Sequence, residues 1–179
     1  MAYYPSGCDT SIEDHICGTC VNELARISSA AYINKSYYPT LIANPEDANV
    51  WAAGVNAGLI VIFPDTQGDY DGGAPQMGQG FGRVEEKINS YLFTANIIDP
   101  VYKGNRDFYN SVYKSQNFHV AWTTESIMYI SDKPCTIIPT NPIANDLKVE
   151  VFWNAQVKWT SENFATEHEI PSNVFVCTA

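Results

Sequence analysis

Residues 147–159 read LKVEVFWNAQVKW. Leu147, Val149, Val151, Trp153, Ala155, Val157 and Trp159 occupy every second position, with Lys148, Glu150, Asn154, Gln156 and Lys158 between them. A period of two sends the apolar set to one face of a pleated strand and the polar set to the other. That is the pattern of an antiparallel strand with one face on a core and one face wet. A strand of this length needs a second layer over its apolar face, so the stretch predicts packed sheets.

The neighbouring segments extend the pattern. FHVAWTTESIMYI (118–130) alternates Phe118, Val120 and Trp122 with His119, Ala121 and Thr123, which sends His119 toward solvent or a partner. CTIIP (135–139) reads as a short strand. Upstream, Val84 to Ile98 is extended, with Ile88, Leu92 and Ile98 on one face and Tyr91, Phe93 and Ile97 on the other; Asp99-Pro100 ends it. LIVIF (59–63) reads as a buried strand closed by Pro64. LARISSAAYI (24–33) fits both periods, and its Ser content and Tyr-Ile ending favour a strand. The tail IPSNVFVCTA (170–179) reads as one more short strand or an extended arm.

Two helices interrupt the strands. In NPEDANVWAAGVNAG (44–58), Asn44 caps, Pro45 takes the first helical position, and Glu46 and Asp47 sit at the positive end of the dipole. Val50, Trp51 and Val55 share a side, and Gly58 supplies a left-handed stop. NRDFYNSVYKS (105–115) turns Phe108, Val112 and Tyr109 inward. Strands do not alternate regularly with helices, so a doubly wound sheet is not expected. The expectation is a mainly β chain: an antiparallel β-sandwich or partly closed barrel with two short helices and extended terminal arms. Residues 1–23 form the N-terminal arm, and residues 24–179 form one β-rich domain.

Six of the eleven glycines fall in GDYDGGAPQMGQGFG (68–82). A phosphate loop would need Lys after its second spaced glycine, and Gly78 is followed by Gln79 and Gly80. The dinucleotide fingerprint fails because Gly80 and Gly82 are followed by Glu85. A calcium loop counted from Asp69 reaches Gly80 where it needs an acid. Asp65, Asp69 and Asp71 leave an irregular cation site beside the simpler reading of Asp-rich turns. Residues 64–83 are therefore expected to be a long Gly-rich loop that moves or lies against another backbone.

DHICGTC places Cys17 and Cys20 as half of a zinc site, with Cys8 and His15 close by. These four are the candidate metal ligands, against the alternative of small apolar residues on an ordered arm. Five cysteines at these positions do not form a secreted disulfide framework, so reduced thiols are expected. MAYYPSGCDTS has no basic start followed by an apolar run, and the longest apolar run, GLIVIFP (58–64), is too short for a bilayer. Twenty acids against ten bases give a net charge of −10, which opposes a grip on nucleic-acid phosphates. No GxSxG or HExxH occurs, and His15, His119 and His168 stand in unrelated contexts. The pairs Glu85-Glu86 and Glu167/Glu169 fit solvated faces as well as acid–base chemistry. Only 17 % of residues are charged while 13 % are aromatic, a balance suited to surfaces that neighbours cover.

NRDFYNSVYKSQNFHVAWTTESIMYI (105–130) and NPIANDLKVEVFWNAQVKW (141–159) carry a resemblance. The order of a short helix, two alternating strands, a Pro-Ile-x-x-Asp-Leu turn and a strand ending in VKW resembles structural proteins of tailed bacteriophages. The nearest are those of the crAss-like group infecting gut Bacteroidetes, with a looser echo in the CxxC…ELARI and YDGG segments. The resemblance implies a non-enzymatic virion protein, assembling in many copies as a capsid-associated, head–tail connector or tail component. Its partners would be copies of itself and other virion proteins, with no cofactor, no nucleic-acid grip and no membrane. It would be made in the host cytoplasm and reside in the virion. Two rival readings are a carbohydrate- or receptor-binding module with Trp51, Trp122, Trp153 and Trp159 as platforms, and a small metal-dependent enzyme using the N-terminal thiols.

Overall fold

The structure, a computed structural model, describes residues 26–79, 86–101, 103–143, 148 and 150–176. In chain order these form β1 (Ser29–Asn34), α1 (Tyr38–Ala43), α2 (Ala48–Asn56), β2 (Ile60–Phe63), β3 (Gln67–Tyr70) and β4 (Ala74–Gln79). Then come β5 (Glu86–Asp99), α3 (Arg106–Ser115), β6 (Phe118–Thr123), β7 (Ile127–Ile130), β8 (Thr136–Thr140), β9 (Trp153–Ser161) and β10 (Thr166–Glu169). One antiparallel sheet runs β10-β7-β6-β1-β2; the other runs β3-β5-β9-β8, with β4 also paired to β5. The two sheets stay open, so the architecture is the expected sandwich and not a barrel.

The alternation in β9 sets the inner face of the second sheet. Ala155, Val157 and Trp159 are buried and Trp153 is half-buried, as the period of two predicts. The strand is shorter than expected: it starts at Trp153, with Val151 ahead of it and Leu147 and Val149 outside the described residues. Its partner β5 sets Phe93 opposite Trp159, Ala95 opposite Val157 and Ile97 opposite Ala155. Ile137 of β8 sits opposite Val157 and is fully buried. Across the sandwich, Ala30, Tyr32, Val120 and Trp122 close this core. Aromatic rings fill its middle, with centroids 4.9 Å apart for Tyr70–Trp122, 5.3 Å for Phe93–Trp159 and 5.8 Å for Trp122–Trp159. Large rings in offset and tilted contact bury much area and add orientation-dependent attraction.

A second core lies on the other side of the first sheet. Ala31, Ile33, Ala121, Met128 and Ile130 meet Leu41, Trp51 and Ile60 there. β6 is therefore covered on both faces, which corrects the expectation for His119. That residue is only 3 % exposed and lies under α1, its ring stacked on Tyr38 with centroids 3.6 Å apart. Helix α1 adds a third helix to the two expected; six residues with Pro39 in the first turn are too few to show a period. Helix α2 starts at Ala48, where Asp47 and not Asn44 supplies the cap: Asn49 N–H donates to Asp47 Oδ1 at 2.9 Å. Trp51 faces inward and Gly58, at φ 68°, ends the helix region as expected, whereas Val55 is 42 % exposed. A Cβ on Gly54 would stand 2.5 Å from Ile60 Cδ1, so α2 lies against β2 at a distance only glycine allows.

Helix α3 closes the open end of the first core with Phe108, Tyr109 and Val112 turned inward, as expected. Its anchor is Asp99, buried at the end of β5, which accepts from Tyr109 Oη at 2.8 Å, Val101 N–H at 2.9 Å and Asn105 Nδ2 at 3.2 Å. Burial, reinforced by nearby Tyr32 and the bond to Asp99, raises the Tyr109 hydroxyl well above its usual value, so it remains a donor. Residues 170–176 form neither a strand nor an extended arm. Pro171 is buried, Asn173 turns the chain at φ 61°, and Phe175 meets Trp51 edge-on at 5.1 Å, covering the second core.

Two adjacent residues of β8 report on this layering. Ile137→Ala should lower the unfolding free energy by about 2–5 kcal/mol, and Ile138→Ala, on the face where the isoleucine is 40 % exposed, by no more than ~0.5 kcal/mol. Denaturant titrations of the two variants measure the difference.

Candidate functional site

The glycine-rich stretch is the largest departure from the sequence-based expectation. Residues 67–70 and 74–79 are strands, both antiparallel to β5 along one edge, and residues 80–83 lie outside the described residues. Between the strands, Asp71 N–H donates to Thr94 O at 3.0 Å. Asp71 Oδ1 in turn accepts from Gly73 N–H at 2.9 Å and Thr94 N–H at 3.0 Å. Gly72 and Gly73 take φ of 73° and 94°, and a Cβ on Gly73 would stand 2.4 Å from the Phe93 ring. The glycines here give the strand a fixed corner over the core and do not make a flexible loop.

A second irregularity lies farther along. Gln76 pairs with Ser90 but Met77 pairs with Ile88, so Asn89 is an extra residue on β5. Its side chain lies over Gly78, where a Cβ would stand 1.9 Å from Asn89 Nδ2. The bulge moves Ile88 off the face expected to hold Leu92 and Ile98. It now sits opposite Met77, two places along β4 from the Pro75–Tyr91 pair, and so continues the core-facing side of the sheet.

β9 accompanies β5 only from Tyr91 onward. Residues 86–90 and 76–79 therefore run beyond the sheet as a two-stranded ribbon, with Met77 53 % and Ile88 45 % exposed. A ribbon of this kind gains little stability alone and displays apolar side chains that a third surface would cover. It is the candidate functional site: an interaction element on a rigid sandwich.

His119, Ser131, Asp132, Cys135 and Ser161 come together between β6, β8 and β9. His119 Nδ1 donates to Ser131 O at 2.9 Å, Val120 N–H to Ser131 Oγ at 3.0 Å, and Cys135 Sγ to Ser131 Oγ at 3.4 Å. Ser161 Oγ donates to Asp132 Oδ2. Burial pushes the Cys135 thiol up to about 12, the opposite of what a nucleophile needs. Burial also lowers His119, against opposing effects of the Ser131 bond and Asp132. This group fastens β6 to the residues that follow β7.

The remaining candidates do not converge. Cys8, His15, Cys17 and Cys20 lie outside the described residues, as does Glu85. Asp69 accepts from Asn96 Nδ2 at 3.2 Å, Asp71 holds the glycine corner, and among the described residues no group of three His, Cys, Asp or Glu could hold a metal ion. Glu167 and Glu169 are exposed on β10. Trp51, Trp122 and Trp159 are core residues, 0–3 % exposed, and Trp153 stacks on Tyr109 at 4.6 Å, so none of the four stands open as a platform. A cleft of about 560 Å³ lies between Arg26, Asp65, Gln67, Glu150 and Phe152. Among the described residues no helix is long and apolar enough to cross a membrane.

Two measurements follow from the buried polar group. Below about 6.5 the unfolded chain takes up a proton that folded His119 resists, so stability should fall as pH drops from 7 to 5. His119→Phe, which keeps the stack on Tyr38, should make that slope shallower in thermal melts. Cys135 should stay unmodified by a thiol reagent at pH 8 in the native protein and react fully in denaturant, as read by peptide mass spectrometry. No protein-family model, curated protein or solved structure matches this chain.

Proposed function

We propose that this chain is a non-enzymatic structural protein of a tailed-phage virion, working in many copies beside other virion proteins. One observation carries the reading. The sheet sends its core-facing side past its own partner strand, as a ribbon whose Met77 and Ile88 have no covering layer among the described residues. Such an element becomes fully bonded and buried when it lies on a neighbour, which is how strand-edge recognition gains affinity. The resemblance of residues 105–130 and 141–159 to tailed-phage structural proteins supports the same reading, as does a chain with 17 % charged residues. Synthesis in the host cytoplasm and residence in the virion complete the proposal.

Mass spectrometry of purified virions should find the chain in many copies per particle. Particles produced with Met77→Lys/Ile88→Lys should lose it by about tenfold or more, equivalent to ~1.4 kcal/mol for the two changes together. Virions that lack the wild-type chain, or turnover of a small molecule by the isolated protein, would overturn the proposal.

A further inference from the structure

The sheet edges are not equally protected. β10 is TEHE, with Glu167 and Glu169; β8 carries Pro139; β3 carries Asp69; β4 carries Pro75 and Gly78. Charges, prolines and irregularities are the devices that keep an edge from pairing with another chain. β2 has none: it is Ile60-Val61-Ile62-Phe63, uncharged and without Pro inside the strand.

The bonding parity of this edge is fixed by its neighbour. Asn34 N–H donates to Leu59 O at 2.8 Å, and the ladder continues with Tyr32 opposite Val61 and Ala30 opposite Phe63. In an antiparallel ladder alternate residues bond to one side, so Val61 and Phe63 are spent on β1. The N–H and C=O groups of Ile60 and Ile62 point away from the sheet.

We infer that β2 pairs antiparallel with β2 of a second copy of this chain, about a two-fold axis through Val61, joining two five-stranded sheets into one. In that register each Ile60 faces Ile62 of the other copy, the two residues whose backbone groups have no partner beyond β1's side among the described residues. Val61, 36 % exposed, meets itself at a non-hydrogen-bonded site, where side chains approach most closely. A two-fold contact sets every residue against its symmetry mate's surroundings, so a charged strand risks like-charge opposition. With −10 on each copy, an uncharged strand is where two copies approach at least electrostatic cost. The inference rests on the assembly proposed above and names one of its contacts.

The test uses the full chain with Val61→Cys, and Ile143→Cys as an 80 %-exposed comparison elsewhere on the surface. Directly opposed residues at such a site have Cα atoms about 4.5 Å apart, within disulfide range. Mild oxidation and peptide mapping should give a 61–61 disulfide and no comparable 143–143 product. Sedimentation should show Val61→Lys weakening dimerisation by about tenfold or more, with Val101→Lys as wild type. Association that persists in Val61→Lys, with no 61–61 link in Val61→Cys, would overturn the β2 contact and leave the assembly proposal standing. A wild-type chain that stays monomeric at high concentration, with no 61–61 link in Val61→Cys, would overturn both.

Discussion

The ladder between β5 and β9, from Tyr91 opposite Ser161 to Asp99 opposite Trp153, is the constraint on which the other features depend. It places Phe93, Ala95 and Ile97 beside Trp159, Val157 and Ala155, so the inner face of one sheet is settled by a single register. A slip of one residue would turn all of these side chains outward, which the buried face forbids. The same ladder fixes where β5 leaves the sheet at each end. At one end lies Asp99, the anchor of α3; at the other, the strand outruns its partner and becomes the ribbon.

The opposite sheet is organised by a different constraint. β1 and β6 are covered on both faces, by the sandwich core on one side and by α1, α2 and the C-terminal turn on the other. Polar groups caught there must be satisfied internally. His119 bonds to Ser131, whose hydroxyl also receives Val120 N–H and the Cys135 thiol, while Ser29 and Thr123 share a hydroxyl contact between β1 and β6. Groups that resemble catalytic chemistry by type are bound up in holding adjacent strands together.

What the sequence revealed follows the length and regularity of each signal. The alternation from Trp153 to Trp159, the inward set Phe108, Tyr109 and Val112, and the stop at Gly58 could all be read, because each repeats or has one dominant cause. His119 could not, since the alternation in β6 separates two faces without saying that helices cover the second. α1 was too short to show a period. The ribbon was missed for another reason: Gly72, Gly73 and Gly78 read as flexibility, whereas two serve a corner beneath Phe93 and the third makes room for Asn89. A fourteen-residue β5 was the available clue, because a strand that long needs partners along its length.

The two irregularities in the hairpin cancel. The corner at residues 71–73 adds one residue to the β3–β4 side, and Asn89 adds one to β5, so the pairing beyond it returns to the phase it had at Tyr70. Were Asn89 paired in regular register and not bulged out, Met77 would look across at its amide and Ile88 at Gly78. The extra asparagine thus acts as a frameshift in the alternating code, converting a tip of mixed character into a wedge with a greasy side. Register here carries information that composition does not: the same side chains paired without the bulge would be present and the wedge gone.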